Sequence, residues 1–126
     1  METIGESDRI RILLVEDEIA WQQAIEALVG TVEHWGVVGF ADNFPDAMVS
    51  FEESKPDVVL LDWQIKGYQD GLAVGEAMVE HGFPVERIIL VSGAEQAMIP
   101  QHPYGYVPKH LIASRLIPTI QRVTKS

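Results

Sequence analysis

The sequence predicts an α/β fold in which a parallel sheet of five strands lies between layers of helices. Three observations lead there. Short apolar runs recur along the chain, too apolar throughout to be strands with one wet face. Segments of helical period separate them, which supplies the crossovers that parallel strands need. No repeat, low-complexity tract or long linker breaks the alternation, and 126 residues with 47% apolar content suit one domain with a real core.

The elements follow in order. IRILLV (10–15) is a first strand, apolar on both faces. EIAWQQAIEALVGTV (18–32) spaces Trp21, Ile25, Leu28 and Val32 along one helical face. GVVGFA (36–41) reads as the second strand. NFPDAMVSFEES (43–54) is a helix with Pro45 tolerated in its first turn, Phe44, Met48 and Phe51 on one side, and Pro56 stopping it. DVVLLD (57–62) is the third strand, and GLAVGEAMVEHG (71–82) is a helix ended by Gly82, which suits a left-handed cap. RIILVS (87–92) and the short YGYVP (104–108) are the last strands. Only sixteen residues separate Ser92 from Lys109, and PQHPYG takes much of that span, so a fourth helix must be very short or irregular. LIASRLIPTIQRV (111–123) closes the chain with Ile112, Leu116, Ile120 and Val123 on one face. Pro118 within it removes the backbone bond to residue 114, which predicts a kink or a late start.

Composition excludes several functions. METIGESDR has no cationic start leading into an apolar run, and no later segment approaches the length of a membrane span. The expectation is a soluble, unexported, cytoplasmic protein without membrane insertion. Without cysteine there is no disulfide framework, thiolate nucleophile or cysteine-ligated metal. Nine Lys plus Arg against nineteen Asp plus Glu give a net charge of −10, which repels phosphate backbones. Direct nucleic-acid binding is therefore not expected, and a protein partner or a cation is. Acidity by itself also aids solubility.

In open parallel sheets ligands bind beyond the carboxyl ends of the strands, where strand order reverses. Those ends carry Glu16 and Asp17, Asp62, Ser92 and Lys109. Crowded acids raise one another's pKa unless a cation sits among them. An all-oxygen donor set without His or Cys suits Mg²⁺ rather than zinc. A carboxylate can also attack phosphorus to give an aspartyl phosphate, with metal and ammonium offsetting the charge on the phosphoryl oxygens. Lys109 and Ser92 are the donors such a product needs. Taken singly, Glu16 and Asp17 could simply favour a helix start, and Asp62 could cap a turn. Their joint placement on strand ends is what favours chemistry. His34, His81, His102 and His110 show no ligand spacing. Trp21, Trp35 and Trp63 read as packing, although Trp63, beside Asp62, is also placed to shield the site and report on it by fluorescence.

Over about residues 10 to 123 the chain resembles the response-regulator receiver domain of bacterial two-component signalling, through ILLVEDE, PDVVLLDWQIKGYQDGL, IILVSGAE and GYVPK in family order and at near-family spacing. The resemblance implies a doubly wound, flavodoxin-like (βα)5 sandwich of three layers with strand order 2-1-3-4-5. It implies a receiver domain over 10–124 behind a tail of residues 1–9. It further implies that Asp62 accepts a phosphoryl group from a phosphohistidine on a sensor histidine kinase or a histidine phosphotransfer protein. Asp17 and Asp62 would ligate Mg²⁺ directly, Glu16 through water and Gln64 through its backbone carbonyl. Ser92 would swing toward the phosphoryl oxygens, and Tyr106 would turn inward behind it. Such a protein is no enzyme on an outside substrate: it catalyses its own phosphorylation and slow dephosphorylation, and it signals to a downstream protein effector.

Three features depart from the family pattern. His110 follows the lysine where the family usually has proline in a cis peptide, and Pro108 precedes it instead. The loop WQIKGYQDG after Asp62 is one residue longer than the commonest form, though Gly71 can still open the next helix. The fourth helix is largely lost. Two other readings compete. A small Mg²⁺-dependent phosphatase would need a second acid two residues after Asp62, where Gln64 sits, and a cap domain. A receiver-like interaction module without phosphoryl turnover would not need all of Glu16, Asp17, Asp62, Ser92 and Lys109. No DNA-binding or catalytic domain follows residue 126, so output is expected through a partner, a relay to another histidine, or an effector on a longer chain.

Overall fold

The computed structural model describes residues 9–125. Five strands, β1 (Ile10–Val15), β2 (Trp35–Ala41), β3 (Val58–Leu61), β4 (Ile88–Ser92) and β5 (Gly105–Pro108), form one sheet of order β2-β1-β3-β4-β5. Every pairing is parallel. The helices are α1 (Ile19–Val29), α2 (Phe44–Ser54), α3 (Gly71–Glu80) and α4 (Ile112–Thr124). Alternate strand residues feed two separate cores, which is why the strands read as continuously apolar. Ile12, Leu14, Leu60, Ile89 and Val91 pack with Ile25 and Val29 of α1 and Leu116 and Ile120 of α4. Leu13, Val15, Val59, Leu61 and Leu90 pack on the other face with Ala47 of α2 and Val74 and Met78 of α3. Strand order reverses between β1 and β3, whose ends Val15 and Leu61 lie in register.

Local chemistry sets most element ends. Asn43 caps α2 by accepting the Asp46 N–H, and Lys55 leaves the helix in a left-handed turn (φ 47°) just before Pro56. Asp70 caps α3 by accepting the Ala73 N–H. At its far end the Phe83 N–H donates to the Met78 carbonyl and the Gly82 N–H to the Val79 carbonyl, with Gly82 at φ 94° as expected. Helix α1 is shorter than its apolar spacing predicts. It stops at Val29, and Thr31 and Val32 close tight turns on Leu28 and Val29, so Ile25 and Val29 form its buried face and Val32 lies beyond it. Nor does α4 start late. A 3₁₀ turn at Lys109–Leu111 leads into it, and it runs on through Pro118, beside which the Thr119 hydroxyl donates to the Arg115 carbonyl at 2.7 Å. Between β4 and β5 a single 3₁₀ turn, Gln96–Met98, stands where the alternation of strand and helix would put a further helix. Peptide bonds among the described residues are trans, Lys109–His110 included. No helix among them is long and apolar enough to cross a membrane. Residues 1–8 of the expected tail lie outside the described residues.

Candidate functional site

The backbone holds the acids side by side. Hydrogen bonding continues one residue past the strand ends: the Asp62 N–H donates to the Val15 carbonyl and the Glu16 N–H to the Ala41 carbonyl, both at 2.9 Å. Ser92 pairs with Pro108 across β4 and β5, which sets Lys109 at the same rim. Glu16, Asp62, Ser92 and Lys109 are all buried. The Lys109 ammonium donates to Glu16 Oε1 at 2.6 Å and to Asp62 Oδ2 at 2.8 Å. Asp17, half-buried, completes the group: one carboxylate oxygen from each of Glu16, Asp17 and Asp62 lies within 4.8 Å of the others. The second Glu16 oxygen accepts the Glu18 N–H at 3.0 Å and shapes the turn into α1. Helix α3 starts so close to Asp62 that a Cβ on Gly71 would overlap the Asp62 carbonyl oxygen, so only glycine fits there. Asp17, Trp21, Asp62, Gln64, Ser92 and Lys109 line a cavity of about 380 Å³.

Burial pushes the Glu16 carboxyl up from 4.5 to about 7, against the opposing hydrogen bonds from Lys109 and the Glu18 amide. Burial alone would lower the Lys109 pKa, but its bonds to Asp62 and Glu16 outweigh that and raise it. One ammonium thus serves two buried acids, with a third acid on the open side. An oxygen-only set with excess negative charge fits a hard cation such as Mg²⁺. The expected switch residues both grip Ala94: Ser92 Oγ accepts its N–H at 3.2 Å, and the Tyr106 hydroxyl donates to its carbonyl at 2.9 Å. The Tyr106 ring packs against the α2 and α3 side of the core. Trp63 packs against the core formed with α2 and α3, as its packing reading has it, and is not among the residues lining the cavity. Its indole N–H donates to Asp70 Oδ2 at 3.1 Å, which ties the loop to the start of α3, and the cavity wall is Trp21 instead. No local signal in the sequence singled out Trp21, because Asp17 lies before the helix start and helical spacing does not link the two. The longer loop after Asp62 is anchored by Lys66, which donates to Asp42 at 3.0 Å.

The family model for the response regulator receiver domain matches residues 12–121. The chain belongs to that family. Among curated relatives, the positive alginate biosynthesis regulatory protein of Pseudomonas aeruginosa is 27% identical over 92% of this chain and 48% of its own length. The response regulator GacA of Pseudomonas viridiflava is 26% identical over 90% of this chain and 55% of its own. This receiver domain therefore spans about half the length of the curated relatives it matches. Among solved structures, a DNA-binding response regulator of the LuxR family from Staphylococcus aureus superposes with a TM-score of 0.77 at 25% identity, covering 92% of this chain and 99% of that one. The response regulator domain of Thermotoga maritima CheB gives 0.79 at 22% identity, covering 92% and 96%. The doubly wound, flavodoxin-like receiver fold is thus established.

Proposed function

We propose that this receiver domain, residues 10–124 behind a tail of residues 1–9, is a phosphoacceptor that takes a phosphoryl group from a phosphohistidine onto Asp62. The observation that carries this reading is a buried carboxylate at the end of β3, held at 2.8 Å by the Lys109 ammonium and flanked by two further acids. An Asp62 oxygen attacks phosphorus, the bond from phosphorus to the donor's imidazole nitrogen breaks, and the imidazole leaves. Lys109, already at Asp62, moves with the charge onto the phosphoryl oxygens. Glu16, Asp17, Asp62 and Gln64 are the residues that would hold Mg²⁺, which when bound adds positive charge where those oxygens gather. Ser92 gives up the Ala94 N–H to donate to the phosphoryl group. Ala94 then shifts, and the Tyr106 hydroxyl loses or remakes its bond. The donor is a sensor histidine kinase or a histidine phosphotransfer protein in the cytoplasm, and the readout is a downstream protein effector. The domain catalyses its own phosphorylation and a slow dephosphorylation.

Phosphoramidate, whose P–N bond stands in for phosphohistidine, tests the chemistry without a partner. Incubation with Mg²⁺ should give a protein-bound, hydroxylamine-labile phosphate, and chelation should prevent it. An acid-stable adduct, or labelling indifferent to chelation, would contradict an aspartyl phosphate formed at this acidic site.

A further inference from the structure

Trp21 stands on the first turns of α1 but belongs to neither apolar core. Ile25 and Val29 supply that helix's buried contacts. The half-buried indole faces polar groups instead: the Lys109 Nζ lies over its ring, 5.1 Å from the centroid, and the ring walls the cavity that also holds Asp62 and Ser92. Glu16 and Asp62 take the ammonium through hydrogen bonds of 2.6 and 2.8 Å, and the indole covers a further side of it.

We propose that Trp21 is a positioning residue of the phosphoryl site, its indole pinning the Lys109 ammonium toward Asp62 and walling the cavity against water, so that it sets the lifetime of the aspartyl phosphate. The claim rests on the reading of Asp62 as phosphoacceptor. An ammonium over an indole face is attracted by the ring quadrupole, enough to change the share of engaged lysine by about two- to thirtyfold. Hydrolysis of the adduct requires a water oxygen to reach phosphorus. The bond between phosphorus and the Asp62 oxygen then breaks, Asp62 leaves as a carboxylate, and the water's proton goes out with inorganic phosphate. A ring on the cavity wall narrows that approach, and a lysine held in place keeps its charge on the phosphoryl oxygens.

The unaltered protein, Trp21→Phe and Trp21→Leu separate this from ordinary packing. Without phosphate, the Lys109 ε-methylene protons should be displaced upfield by the ring current in the unaltered protein and in Trp21→Phe, and should return to the usual lysine position in Trp21→Leu. After labelling with acetyl phosphate and removal of the donor, the adduct should decay about two- to tenfold faster in Trp21→Leu and within about twofold of normal in Trp21→Phe. An undisplaced Lys109 signal in the unaltered protein overturns the proposal without need of any variant. So do equal decay rates in all three proteins once the adduct has formed. No adduct on the unaltered protein would instead overturn the reading of Asp62 and with it the lifetime claim, while the Lys109 signal would still decide the pinning.

Discussion

Lys109 is the residue on which the site's charge balance turns. Removing its ammonium leaves Glu16 and Asp62 as two buried acids with a third beside them. Lys109→Met keeps most of the side-chain volume, so its effect is one of charge. The metal-free variant should lose about 2–4 kcal/mol, read from the urea midpoint, and Mg²⁺ should restore more to it than it adds to the unaltered protein. An unchanged midpoint, or an equal Mg²⁺ effect in both, would contradict a shared ammonium. Glu16 carries a second consequence. Its carboxyl is raised from 4.5 to about 7, so the metal-free fold favours the neutral form. That contribution is complete below about 4.5 and is lost as pH rises through about 7. A cation needs the ionised form, so the gain in Tm from Mg²⁺ should grow between about pH 5.5 and about pH 8, and Glu16→Gln should flatten the rise. The same gain at both pH values would argue against Glu16 as a partner of the ion. Glu16, Asp62 and Lys109 were legible in the sequence because a charge that ends an apolar strand is conspicuous. Trp21 was not, because its contact with Lys109 joins distant parts of the chain, and its neighbours Ile25 and Leu28 make it look like core.

The segment between β4 and β5 is the element most exposed to the state of the site. It has one 3₁₀ turn, Met98 open to solvent, and Ile99 as its buried anchor. Few packed side chains oppose its opening, so its local stability should lie at the low end of the domain. Ser92 and Tyr106 both hold Ala94 at its start, and Ser92 and Ala94 line the same cavity as Asp62. Amide exchange over residues 93–106 should be fast in the free protein and slower with beryllofluoride, while β1 and β3 barely change. Exchange that is uniform in both states would move the output surface elsewhere. Loss of a helix between β4 and β5 was legible from the proline- and glycine-rich span, as was the cap at Gly82, whereas the caps at Asn43 and Asp70 came only with the structure. The end of α1 was misread, since Val32 keeps the helical spacing, although Gly30, at which the helix stops, is a residue type that commonly follows a helix end. Pro118 misled in the opposite sense: Leu116 and Ile120 are fully buried on the sheet, and that packing keeps α4 helical across the missing bond.

At the scale of the molecule, one topological fact gathers the site. The order β2-β1-β3-β4-β5 sets the ends of β1 and β3 next to each other, and β4 and β5 bring Ser92 and Lys109 to the same rim. Alternation of strand and helix was enough to predict parallel pairing, but the order itself came from family resemblance, because apolar runs of similar length do not say which neighbours which. The chain carries a net charge of −10, so if the pocket takes an anionic phosphoryl donor as proposed, positive charge at the rim is a condition of that chemistry. Whether Asp62 is the residue modified is decided by intact mass after incubation with acetyl phosphate and Mg²⁺. The unaltered protein should gain a single phosphoryl group, and Asp62→Asn should gain none while keeping its fold; an Asn variant that still acquires a phosphoryl group of normal stability would mean that another residue is the acceptor.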